Sequence, residues 1–229
     1  MGRIFTSKFA VIGFLTLLFL IALAMLSNLV SERQRYNESV IEGIGKDYVN
    51  PQTIVTPFIV VPTTISQACQ DDIKKVCLFD KNILVSPRNS VWNHQVKVTD
   101  QNFKRGIYKA ITYVDQIAVQ GKFSLPKQLI TPVKNQIIHW DKATIRLSVS
   151  DLRGLISQPI LSLNGQKIAF NFPSDGGVNP IGITYTEAPI SLSSQTQDFN
   201  FNLDFGINGM SSLDVIPVGN DMTMTVNAN

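Results

Sequence analysis

A chain of 229 residues with 44% apolar and 16% charged side chains can bury a core, which excludes an intrinsically disordered protein. Its formal charge of +3 owes much to Arg3 and Lys8, which precede all 17 acidic residues, so the remainder is close to neutral and a basic nucleic-acid footprint is excluded. Two His and two Cys are too few for a multi-ligand zinc site or a dense disulfide scaffold, and no cofactor-binding signature is present.

Residues 1–8 form a short basic N-terminus. The first element follows at Phe9–Val30, a run without one charged residue and with only Thr16, Ser27 and Asn28 polar. At about 1.5 Å per residue it measures roughly 33 Å, a match for a hydrocarbon layer of about 30 Å. Arg3 and Lys8 lie before it, whereas Glu32, Arg33, Arg35 and Glu38 after it are mixed, so the positive-inside rule places the N-terminus in the cytoplasm and the large remainder outside. Cleavage after Ala22-Leu23-Ala24, as in a signal peptide, is the competing reading. Continuation of the apolar run through Met25, Leu26, Leu29 and Val30 favours an uncleaved anchor.

Residues 31–50 carry Tyr36, Val40, Ile41, Ile44 and Tyr48 at helical spacing, with charged residues between them. This predicts a membrane-proximal helix, ended by Pro51, whose apolar stripe must dock on something. Gly43-Ile44-Gly45-Lys46 within it lacks the strand and further glycine of a phosphate loop.

Residues 51–229 read as one extracytoplasmic β domain, in which the period changes to two from Thr53 onward. Ala143, Ile145, Leu147 and Val149 alternate with polar neighbours, as do Phe199, Phe201, Leu203 and Phe205, and again Met222, Met224 and Val226. Asn164-Gly165 is a two-residue hairpin signal, and Asp175-Gly176-Gly177 and Ile207-Asn208-Gly209 read as longer turns. With no helical pattern between strands, the expectation is a mainly β protein: one transmembrane helix followed by an antiparallel β-sandwich-like extracytoplasmic domain.

Chemistry-bearing residues are sparse. Cys69 and Cys77 bracket a polar stretch, and two cysteines at the base of a hairpin join in an oxidising compartment when their Cα atoms approach within about 7 Å. Two unpaired thiols are the alternative; a redox pair lacks the Cys-x-x-Cys spacing. His139-Trp140-Asp141 places an imidazole near a carboxylate, but no Gly-x-Ser-x-Gly elbow or His-Glu-x-x-His helix accompanies it, and His94 stands alone. Asp151-Leu152-Arg153-Gly154 reads as a turn closed by an Asp-to-backbone bond.

Glu32-Arg33-Gln34-Arg35-Tyr36, then Pro51-x-x-Ile54-x-x-Pro57-Phe58-Ile59-Val60-Val61-Pro62, resemble the opening of the CreD (colicin tolerance) family of bacterial inner-membrane proteins. Arg105-Gly106-Ile107-Tyr108, Leu147 to Gly154, and Leu213 to Met224 resemble later family patterns in the same order, although Thr56 stands where a glycine is expected. The resemblance implies an inner-membrane envelope protein linked to a two-component regulon and to colicin sensitivity, with no established enzymatic activity or cofactor and no catalytic residues to carry over; the expectation is a non-enzymatic protein without cofactor or metal. It also implies an N-terminal half, because such proteins continue with further transmembrane helices. The expected partners are the lipid bilayer and, beyond it, that multi-helix region or other envelope proteins. The alternative is a membrane-anchored periplasmic β-sandwich hydrolase or carbohydrate-active enzyme, which needs two carboxylates about 5–9.5 Å apart in a cleft; Asp100, Asp115, Asp141 and Asp151 are its candidates.

Overall fold

The apolar run and the amphipathic stretch after it contain neither proline nor a clustered break, and in the computed structural model they form one helix, α1 (Gly2–Asp47). Described are residues 2–70, 74–106, 108–130, 134–163, 165–173, 177–179, 182–193 and 198–229. The described apolar side chains from Phe9 to Val30 are broadly exposed, as expected of a surface that faces lipid. Asn50 and Pro51 then turn the chain into β structure.

Two six-stranded sheets pack face to face. In the first, β1 (Gln52–Ala68) is the hub: its first half pairs with β6 (Thr144–Val149) and β11 (Leu213–Ile216), its second with β2 (Val76–Val85) and β5 (Gln136–Ile138), and β9 (Tyr185–Pro189) extends β6. The second sheet runs β12 (Asp221–Ala228), β3 (Pro87–Arg105), β4 (Tyr108–Ser124), β10 (Asp198–Met210), β7 (Ile160–Leu163), β8 (Gln166–Ala169). Pairing is antiparallel except for β1 with β11 and β3 with β12, so both sheets are mixed.

Alternation sets which side chains enter the core. On β10, Phe199, Phe201, Leu203 and Phe205 are buried while Asn200, Asn202 and Asp204 are exposed. Phe201 lies over Gly121 of β4, where a Cβ would come within 2.6 Å of its ring, so the glycine admits the phenylalanine. On β6, Ala143 just before the strand and Ile145, Leu147 and Val149 on it face the same core. Leu163 pairs with Gln166 across a two-residue turn whose Gly165 has φ +82°, the geometry of an Asn-Gly hairpin; Asn164 itself, like Asp175 and Gly176, lies outside the described residues.

Two local expectations are corrected. Ile207-Asn208-Gly209 is not a turn but the end of β10; Gly209 is there because the Tyr113 ring lies across it, with the phenol donating to the Ser212 carbonyl at 2.8 Å. The chain turns after it, at Ser211 (φ 64°). On β12 the alternating Met224 and Val226 are exposed, because this edge strand pairs only with β3 and the facing sheet offers just the four-residue β11 at that end.

Candidate functional site

The far end of α1 meets the hairpin formed by β3 and β4. Ile44 is buried against Ala110 and Met210, with Val40, Ile41 and Phe103 packed around them. Tyr48 stacks obliquely on Phe103 (ring centroids 4.5 Å), and Tyr36, still largely exposed, reaches Tyr108 at 5.4 Å. The stripe of Tyr36, Val40, Ile41, Ile44 and Tyr48 therefore lies along one face of the hairpin. Gly45 permits the close approach, since a Cβ there would sit 2.6 Å from Asn50 Oδ1 and 3.1 Å from the Met210 methyl.

A polar latch closes the same junction. Asp151 lies two residues past the end of β6, and its carboxylate accepts from the Arg153 backbone N–H (3.1 Å), the Arg153 guanidinium (2.6 and 2.9 Å), and the backbone and side-chain amides of Asn50 (3.3 and 3.2 Å). The guanidinium in turn donates to the carbonyls of Lys46 (2.9 Å) and Gly45 (3.4 Å). These are carbonyls of the last helical turn, which lack intrahelical partners and carry the negative end of the helix dipole, so a cation there is favourable on both counts. Hydrogen bonding to Arg153 holds the Asp151 carboxyl below the usual carboxylate range, against the opposing effect of its partial burial. Beneath the latch, fully buried Gln52 donates to the Asp151 carbonyl (3.3 Å) and accepts from the Asp151 N–H (3.4 Å). Gly154 leaves room for Gln52, whose amide a Cβ would approach to 2.7 Å. Every residue of Asp151-Leu152-Arg153-Gly154 thus has a structural use: Leu152 packs on the main core and the other three form or clear the latch. Sequence reasoning finds the turn here but not the helix cap, because its carbonyl partners lie more than a hundred residues away.

The remaining candidates are dispersed. Asp115 is fully buried and takes a 2.6 Å hydrogen bond from His94 Nδ1; among the described residues neither His94 Nε2 nor Asp115 Oδ1 has a partner. His94 is therefore not alone, although the 21-residue separation hides the pair from local reading. His139 bonds through Nε2 to Thr64 Oγ1 (2.9 Å), which itself donates to Asp80 (2.8 Å); this is a surface chain, with His139 just before the 3₁₀ turn of Trp140–Lys142. Asp141 lies in that turn, and the Asp100 side chain is outside the described residues. Among the described residues no cluster of three or more His, Cys, Asp or Glu is placed to hold a metal. Cys69 and Cys77 are joined by a disulfide, Cα atoms 5.1 Å apart, at the tip of the β1–β2 hairpin.

Comparison with known proteins gives a single direction. The family model described as "Inner membrane protein CreD" matches residues 4–229. Inner membrane protein CreD of Escherichia coli (strain K12) is 23% identical over 224 residues, covering 93% of this chain and 46% of the relative, so the chain spans about half the length of that protein. No solved structure matches.

Proposed function

The chain belongs to the CreD family of inner membrane proteins, and from that premise we propose that it is a non-enzymatic envelope protein whose β domain works by contact at the periplasmic face of the inner membrane. The N-terminus is cytoplasmic in this reading, with residues 9–30 as the anchor, because Arg3 and Lys8 precede the span. A link to a two-component regulon and to colicin tolerance follows from the resemblance read in the sequence. Other envelope proteins, or a region corresponding to the unmatched half of the Escherichia coli relative, are the partners.

The observation that carries this reading is the docked helix end. Ile44 in its apolar cluster and Arg153 on the helix carbonyls tie the domain to the anchor, so a contact made by the domain is made at a set height above the bilayer. The hydrolase alternative has no comparable support: Asp115 is committed to His94 and Asp151 to Arg153 and Asn50. Protease added to spheroplasts should digest the β domain, and protease added to inverted membrane vesicles should spare it. The reverse pattern overturns the orientation, and turnover of glycoside or ester substrates by the purified chain overturns the contact reading.

A further inference from the structure

The second sheet outruns the first at the end nearest the anchor. β3 and β4 are 19 and 17 residues long, but the facing sheet covers their inner face here only with the four residues of β11. The result is a groove of about 240 Å³ in which Val98, Ile111, Met224 and Val226 face Leu213 and Val215. Four of these side chains are substantially exposed, with Val226 at 56% and Ile111 at 53%. The inner end of the groove is His94, which is hydrogen-bonded to the buried Asp115 and on whose imidazole Trp92 stacks (centroids 5.9 Å). Its volume falls below the roughly 300–1,000 Å³ of sites that enclose a whole drug-sized ligand, and suits one slender apolar chain.

Just past the groove's outer end, the same face of the hairpin carries charge. Lys109 precedes Ile111 by two residues and so shares its face of the strand, and in the β3–β4 register it stands directly opposite Lys104. Both lysines are exposed, and neither pairs with an acid among the described residues. Like charges directly opposite across a ladder are destabilising, and an anion placed between them reverses the sign. Tyr108, adjacent to Lys109, touches Tyr36, which lies six residues beyond Val30. At 1.5 Å per residue that is about 9 Å above the apolar layer, just outside a headgroup zone about 5–7 Å thick. Lysine side chains at that height reach into the zone.

We propose that this groove binds a single-chain fatty carboxylate taken from the membrane surface, with its head between Lys104 and Lys109 and its chain running inward past Ile111 toward His94. The volume selects one chain over two, and the lysine pair selects an anionic head over a zwitterionic one. The inference rests on the placement of α1 in a bilayer but not on the orientation or partners proposed above.

Trp92 and Trp140 are the two tryptophans, so the W140F variant leaves a single reporter beside the inner end of the groove. The full chain carrying W140F, in phosphatidylcholine nanodiscs, is titrated with a fatty acid brominated at its chain end. Saturable quenching of Trp92 is expected, weakened at least tenfold by K104E/K109E and retained by K104R/K109R. Brominated diacyl phosphatidylglycerol built into the disc should leave Trp92 unquenched. Quenching that never saturates, that survives K104E/K109E, or that the diacyl lipid reproduces overturns the proposal. Nanodiscs expose both membrane faces, so an error in orientation leaves this result untouched.

Discussion

Ile44→Ala tests whether the domain is held on its anchor by the small cluster at the helix end. Truncation of a buried Ile to Ala costs about 2–5 kcal/mol, more where the surroundings cannot collapse. Here Ile44 is 4% exposed, but among the described residues the only other buried members of its cluster are Ala110 and Met210, so the low end applies. About 2 kcal/mol at 1.4 kcal/mol per tenfold raises the undocked population roughly 30-fold. An undocked helix end is marginal in water and frays, so its amides report the change. Hydrogen–deuterium exchange of the full chain in nanodiscs should show residues 40–48 exchanging roughly 30-fold faster, with β1, β6 and β10 unchanged. Acceleration throughout those strands would show that docking is inseparable from folding, and no acceleration at residues 40–48 would show that the cluster does not hold the helix. Either result refutes the reasoning.

The latch carries a pH dependence. Because Asp151 titrates below the ordinary range in the folded protein, its contribution is complete above the unfolded value of about 4 and is lost as pH falls through the lower folded value. Docking measured by exchange at residues 40–48 should therefore hold at neutral pH and weaken only below about pH 4, and Asp151→Asn should be weaker at neutral pH and flatter with pH. Phe201→Ala removes a 1%-exposed ring from the main core and should cost about 3–5 kcal/mol by urea denaturation, whereas Asn202→Ala, its exposed neighbour, should stay within about 0.5 kcal/mol. Replacing Cys69 and Cys77 with Ser opens a loop with a sequence separation of 8, which should lower stability by about 2–3 kcal/mol. Limited proteolysis of that variant should begin at the β1–β2 tip; first cuts elsewhere would contradict a local effect.

Local periodicity made the anchor, the helical stripe and the inward faces of β6 and β10 legible, because each depends on burial of one side of one element. The same periodicity misleads at β12, where the pattern of Met224 and Val226 is that of a buried face but no long strand lies opposite to bury it. It misleads again at Ile207-Asn208-Gly209, where a glycine needed to seat the Tyr113 ring looks like a turn. The parallel pairings of β1 with β11 and β3 with β12 join segments more than a hundred residues apart, and nothing in either segment alone encodes the partner. The latch shows the limit most clearly. Asp151 and Arg153 are neighbours whose mutual bond is readable, but the use of that bond is at Gly45 and Lys46, more than a hundred residues away in sequence.

The two halves of the junction constrain different things. A single helix in a bilayer is fixed in depth by its apolar length, yet it is free to turn about the membrane normal, so the bilayer sets the height of the domain and cannot select one of its faces. The selection comes from the helix itself. Its stripe seats on only one face of the β3–β4 hairpin, the face of Phe103, Tyr108 and Ala110, and Arg153 locks the register by reaching the last helical carbonyls. The opposite face of the hairpin, with Lys104, Lys109, Ile111 and Val98, is thereby left open. Because α1 runs without interruption from the apolar segment to Asp47, there is no hinge between depth and facing. A rigid helix with a one-sided dock is what turns a non-directional membrane anchor into a domain with a defined lower surface.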